Sequence, residues 1–265
     1  MTLIAILMGT LAAGLGSVLL AAVLANALMS RYTQHLLSLA AGALLATSFM
    51  HLLPEAFESE VSPHRLFMTL LIGVVFFFLL DKAELWHHGH EHHHGPHGHE
   101  GHHSHAGHDH THHAEHPTGS WSVLLGDSVH AFGDGVLVAA AFMADVSLGV
   151  AASVAVLAHE VPHHMGDLVV LRQGLTHGRS ALLKLLMAGG VTVVGGLVGY
   201  TVLEQHLGIL PYWLTVASSS YVYVALADLI PQLQKRLSAQ ATLAQIAWLL
   251  TGIALVSGVS ALTRH

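Results

Sequence analysis

HAFGDG at 130–135 and HEVPHHMGD at 159–167 are two polar strings set in sequence that is otherwise close to hydrocarbon. Val136–Met143 and Ala151–Ala158 lie between them, and Leu168–Leu171 follows the second. A carboxylate at the centre of a bilayer costs about 3 kcal/mol on insertion scales. Asp134, Glu160 and Asp167 together would cost on the order of 9 kcal/mol by the same scale. Membrane segments keep such residues where they face a partner, an ion or a water-filled cavity. Spacing selects among these. His130 and Asp134 are four apart, as are His159 and His163, so within helices each pair shares one face, a turn apart. Two neighbouring helices then gather three imidazoles and a carboxylate around one point. That donor set suits a borderline divalent metal such as zinc or ferrous iron.

Composition supports a membrane setting. The chain has 265 residues, 53% hydrophobic and only 9% charged, against about 25% charged in a soluble domain. There are no cysteines, which excludes thiolate metal sites and disulfides. The net charge of −7 gives no sign of nucleic-acid binding. The N-terminal stretch lacks a basic leader and a small-residue cleavage site, so it reads as a retained span rather than a signal peptide.

A span needs about 20 mainly apolar residues. The windows are Leu3–Met29, Leu36–Pro54, Leu66–Trp86, Ser122–Met143, Leu148–Leu171, Ala181–Leu203, Trp213–Leu233 and Leu243–Leu262. The fourth and fifth are the least apolar, carry the two polar strings, and are joined only by 144–147, which predicts an antiparallel hairpin. Positive residues set the orientation. With the N-terminus outside, inner loops hold Arg31, Lys82, Arg172, Arg179, Lys184, Lys235 and Arg236, whereas outer segments hold Arg65 and Arg264. Both termini are then external. The segment His87–His116, with 16 histidines in 30 residues, is cytoplasmic. It cannot bury a core, is expected to be disordered, and suits loose binding of metal ions; the plainer reading is a solubilising spacer.

A short repeat is visible. His51-Leu-Leu-Pro-Glu55 near the end of the second window resembles Asp228-Leu-Ile-Pro-Gln232 near the end of the seventh, and His159-Glu-Val-Pro-His163 has the same shape. Spans one to three and six to eight then read as related halves flanking the hairpin, as in transporters whose substrate site lies between repeats.

Each polar feature has a structural alternative. Pro162 removes a backbone hydrogen bond and clashes with the Ala158 carbonyl, which reads as a packing kink or as a freed carbonyl beside the site. His130 with Asp134 is interhelical glue or a pair of ligands; two such helices joined by a tight turn favour ligands. Gly133, Gly135 and Gly166 are expected to permit close helix approach, and Gly195, Gly196 and Gly199 to serve packing. Asp167 reads as an exit-side ligand or a partner for Arg172. His164, about 100° around the helix from His163, suits a second ion or the exit path. Asp127 is left unplaced, and His51 with Glu55 reads as an entrance pair or a surface cap.

The motifs HAFGDGVLVAAAF, HEVPHHMGDLVVL, FMHLLPEAF and FFFLLDKAELWHH together resemble the ZIP (Zrt/Irt-like) metal transporters, the LIV-1-like branch above all. The resemblance covers all eight windows and the histidine-rich segment. It implies an all-α integral membrane fold of eight transmembrane helices in a 3+2+3 bundle, forming a single domain over 1–265 with residues 87–116 as a disordered cytoplasmic loop. It also implies uptake of divalent metal into the cytoplasm by alternating access. Carried over residue by residue, the metal site would use His130, Asp134, His159 and His163, with Glu160 lining the pathway or a neighbouring ion. Three departures bear on a second, adjacent site: Ala131 stands where the family often has Asn, His164 where the branch often has Glu, and the sixth span lacks the glutamate some members carry.

Two rivals share parts of this pattern. HEVPH satisfies the H-E-x-x-H pattern of zinc proteases, with Glu160 as general base, but Pro162 suits a rigid catalytic helix poorly and His130 would be an extra ligand. Cation-diffusion-type exporters also carry intramembrane His and Asp, but usually have six spans and a folded C-terminal domain. The expectation is therefore a multi-pass transporter rather than an enzyme, in the plasma (bacterial inner) membrane. It requires no cofactor and carries zinc, with iron or manganese as alternative cargo. Its partners are the ion and the bilayer, with a homodimer left open.

Overall fold

The computed structural model describes residues 1–28, 33–89, 118–174, 178–233 and 238–263. They form eight long helices with no strand among the described residues. Helix α1 covers 2–28, α2 33–57, α3 Pro63–Gly89, α4 Thr118–Ala144, α5 Val146–Gly174, α6 Gly178–Gln205, α7 210–233 and α8 Ala239–Thr263. Each overlaps one apolar window, and most run a few residues past it because backbone hydrogen bonding continues into the interfacial residues. The helical solution is forced: hydrocarbon offers no partner for an open N–H or C=O, and only helices or closed barrels satisfy them all. Among the described residues, seven helices are long and apolar enough to cross a membrane. The exception is α4, which carries Asp127, His130 and Asp134 along one side. Disorder is expected over 87–116; His87–Gly89 instead complete the last turn of α3, and residues 90–116 lie outside the described residues.

The hairpin is tighter than its sequence suggests. Asp145 alone separates α4 from α5, and its Oδ1 accepts the Ser147 N–H at 2.7 Å, capping the new helix. Around this pair the other six helices are arranged symmetrically. α6 packs along α4 and α1 along α5, while α2 packs on α8 and α3 on α7. Exchanging the first three helices for the last three, and α4 for α5, maps these contacts onto one another.

The short repeat has a backbone counterpart. In α2 a π-turn at Ser48–Leu52 leads into Leu53-Pro54, and in α7 a π-turn at Val224–Leu229 leads into Ile230-Pro231. A third π-turn, Ala12–Gly16, lies within α1. α5 instead runs unbroken through Pro162.

Small residues carry the packing, as membranes require where apolar burial alone gives no drive. Ala139, Ala140 and Ala141 on α4 and Ala40, Ala41 and Ala43 on α2 are fully buried. A side chain at Gly135 would strike the α6 backbone at Thr192 and Gly196, and one at Gly195 would strike the Phe132 carbonyl of α4. Gly42 and Gly252 lock α2 against α8 in the same reciprocal way. Gly196 and Gly199 also pack, against α1 and α4 respectively. Gly133 and Gly166 depart from expectation: among the described residues, a Cβ on either would meet nothing within 4 Å. Both lie one helical step from residues that do pack, and their rotation about the axis turns them into open space. α3 and α8 lie outermost, presenting Phe67, Leu71, Phe76, Leu243 and Leu250 outward.

Candidate metal site

On α4 the polar face is built by Asp127, His130 and Asp134, spaced three and four residues apart. On α5 it is built by His159, Glu160, His163, His164 and Asp167. Antiparallel pairing puts the two faces against each other, and Gly135 holds α4 to α6 from behind. His130, Asp134, His159 and Glu160 each offer one donor atom, all within 4.8 Å of one another.

The separations carry chemical information. His159 Nε2 lies 3.2 Å from Asp134 Oδ2 and 3.3 Å from Glu160 Oε1. His130 Nε2 lies 3.3 Å from Glu160 Oε1, 3.4 Å from His159 Nε2 and 3.9 Å from Asp134 Oδ2. Ligands bound tetrahedrally at 2.0–2.1 Å from one ion sit about 3.3–3.4 Å apart, and the measured spacings bracket that value. The oxygens Asp134 Oδ2 and Glu160 Oε1 are buried and accept no hydrogen bond. Buried carboxylate oxygens without a donor are costly unless a cation meets them.

His159 is prepared for that role. Its Nδ1–H donates to the Ala155 carbonyl at 3.1 Å, which in the neutral ring leaves a lone pair on Nε2 directed at the group. Fixing a ligating imidazole through its other nitrogen is what metal sites generally do. Asp134, His159 and Glu160 are buried, whereas the His130 side chain is 27% exposed. The group therefore has one accessible side.

His163 is placed differently from the other four residues singled out by sequence. Its ring stacks beside that of His130, centroids 5.9 Å apart. Its Nδ1, however, lies 3.0 Å from Asp167 Oδ2 and 3.7 Å from Asp127 Oδ1, forming a neighbouring group. The two histidines of HEVPH thus contribute to different donor groups.

A further grouping, Asp127, Glu160 and His164, is wholly buried. His164 Nε2 lies 3.0 Å from Glu160 Oε2. Its Nδ1 is 3.0 Å from Ser17 Oγ, which itself donates to the Gly14 carbonyl at 2.6 Å. α1 thus orients a residue of α5. Sequence reasoning left Asp127 unplaced, although its spacing of three from His130 is a same-face signal. It gave no hint of Ser17, which belongs to another helix.

A bundle of apolar helices, seven of them long and apolar enough to cross a membrane, with a histidine–carboxylate cluster on its two central helices, defines the class: a multi-pass integral membrane protein. More specifically, the family model described as ZIP Zinc transporter matches residues 1–260, so the chain belongs to that family. It is similar to human zinc transporter ZIP10, 34% identical over 115 residues covering 43% of this chain and 14% of the relative. It is 42% identical to rat zinc transporter ZIP4 over 112 residues, 41% of this chain and 16% of the relative. The match to zinc transporter ZIP13 of Pongo abelii is 27% identical but covers 84% of this chain and 65% of the relative. The chain spans less than two thirds of the length of each of these relatives.

Proposed function

We propose that this protein carries a divalent cation, zinc in preference to ferrous or manganous ion, through the membrane into the cytoplasm. The cargo is held on α4 and α5 by His130, Asp134, His159 and Glu160, with His163 receiving it alongside. The observation that supports this best is the convergence of four donor atoms from two helices at tetrahedral spacing, two of them buried oxygens with no hydrogen bond. Two imidazoles with two carboxylate oxygens favour zinc over magnesium or calcium, which prefer all-oxygen sites.

Transport follows from where the group lies. The accessible side at His130 and His163 lets an ion leave without dismantling the buried wall formed by Asp134 and His159. Rocking of the flanking triplets against the hairpin would then alternate that opening between the two faces. The Lys and Arg distribution supports external termini and a cytoplasmic histidine-rich segment, in the plasma or bacterial inner membrane. The separation of His159 from His163 into different donor groups speaks against proteolysis by HEVPH, because a zincin needs both histidines on one ion.

Uptake of radioactive zinc into proteoliposomes tests the reading. His130→Ala and His159→Ala are expected to lose nearly all saturable flux while still reconstituting. Wild-type flux in both would overturn the site, and hydrolysis of a peptide library by the purified protein would overturn the transporter reading.

A further inference from the structure

We propose that the crevice between α1 and the α4–α5 hairpin is a seat for one acyl chain of a bilayer phospholipid. The tail enters sideways, in the leaflet that contains the hairpin turn.

Helix packing makes the crevice. At Gly9, α1 comes so close to the hairpin that a Cβ would strike the Phe142 ring of α4 and the Ser153 hydroxyl of α5. Gly149 presses on the same ring, so Phe142 is held between two glycines. α1 then enters its π-turn at Ala12. The helices close again where a Cβ on Gly16 would stand 3.9 Å from Leu157 Cδ1. Beside these two closures lies a cavity of about 340 Å³, lined by Met8, Ala12, Phe142, Val150, Val154 and Leu157 among others. Its rim is open, with Met8 66% and Val146 53% exposed.

The lining selects the occupant. Ser153 is its one polar side chain, and that hydroxyl donates to the Gly149 carbonyl at 2.8 Å. The backbone groups around it are bonded along their own helices. Water held in a cavity needs roughly two to four polar partners, and here the single hydroxyl is already engaged. An empty space would forfeit the dispersion contacts of its whole wall. Hydrocarbon meets neither objection, and it is what surrounds the mouth of a multi-pass membrane protein. Ile4, Met8 and Leu11, four and three residues apart on one face of α1, are all exposed and lead to the rim. The crevice is therefore continuous with the surface that the bilayer already covers. A flexible tail without polar groups can follow that strip inward and fill an irregular space.

Position gives the seat a consequence. Leu157 stands two residues before His159 of the first donor group, and Gly16 adjoins Ser17, whose hydroxyl meets His164. A seated tail braces the stretch of α1 and α5 that borders those groups.

The test uses phosphatidylcholine with brominated tails, supplied as bicelles from which crystals of the full chain are grown. A bromine anomalous peak is expected in the crevice beside Phe142 and Leu157. Ala12→Phe and Val150→Phe fill the space from α1 and from α5. Each should lose that peak and keep bromine peaks elsewhere around the bundle, whose survival certifies the fold. After the same detergent wash, the wild type should retain one more phosphatidylcholine per chain than either variant, counted by phosphorus assay. Bromine around the bundle but none in the wild-type crevice would overturn the proposal. A crevice peak kept by both variants, equal phosphorus in all three proteins, or a side chain from a second copy of the chain seated there would overturn it too. The carrier reading is tested separately, by zinc flux.

Discussion

His159 donates its Nδ1–H to the Ala155 carbonyl, which in the proposed site leaves Nε2 for the cargo. Replacing it by alanine removes a ligand and leaves Asp134 Oδ2 and Glu160 Oε1 facing each other. We expect His159→Ala to weaken cadmium binding at the first group by about 100-fold or more, since losing merely a supporting partner costs roughly 10- to 100-fold; titration of the purified protein checks this. Glu160→Gln keeps shape but removes charge, and the same titration should show affinity down by roughly 10- to 100-fold. The effect of pH has a definite sign. Ligation requires neutral imidazole, whose ordinary pKa is about 6.5. Protons therefore compete with the ion below that value, and binding should be weaker at pH 5.5 than at pH 7.5 by at least about tenfold. Equal affinity at both would argue that no histidine ligates. The pairs His130/Asp134 and His159/His163 were legible because helical spacing alone aligns them. The assignment of His163 to Asp127 and Asp167 was not, because it depends on the rotation of α5 against α4.

At the scale of the helix, glycines separate by what they face. Gly135 is pressed onto the α6 backbone, whereas Gly133, two residues earlier, faces open space. Gly135→Val should push α4 from α6, costing about 1–3 kcal/mol or more by overpacking, and with it the register of Asp134. Gly133→Ala should be nearly neutral apart from a gain in helix propensity of up to about 1 kcal/mol. Thermal unfolding in detergent, read by the surviving monodisperse fraction, distinguishes the two. Equal behaviour would mean that the α4–α6 contact does not set the site. Sequence treats these glycines alike, since both stand in GDG; only a neighbour's backbone tells them apart. Helix existence, by contrast, was fully legible, because a run of about 20 apolar residues has no other stable state in lipid. α4 is the instructive case, since its polar face lowers its apolarity yet pairing with α5 in the hairpin covers that face.

Across the whole molecule, the hairpin is held between two triplets that contact it and each other in matching ways. The histidine-rich segment joins α3 to α4, and its composition of histidine, glycine and a few acids cannot bury a core. Deleting residues 90–114 should therefore leave appreciable zinc flux in proteoliposomes, with any reduction seen at low ion concentration; complete loss would make the segment part of the transport path. The repeat HLLPE and DLIPQ was faint in sequence, because five residues match easily by chance. Its backbone form, a π-turn running into a proline in both α2 and α7, is far more specific. The sequence by itself determined that this chain crosses a membrane many times as helices, and that its ionisable residues concentrate on two adjacent spans. Both follow from hydrophobic run length and from the cost of charge in hydrocarbon, which act locally. Only the tertiary structure decided which donor atoms lie together. Donor grouping depends on how α4 and α5 are turned toward each other, and that rotation is set by contacts from α1 and α6 that lie far away along the chain.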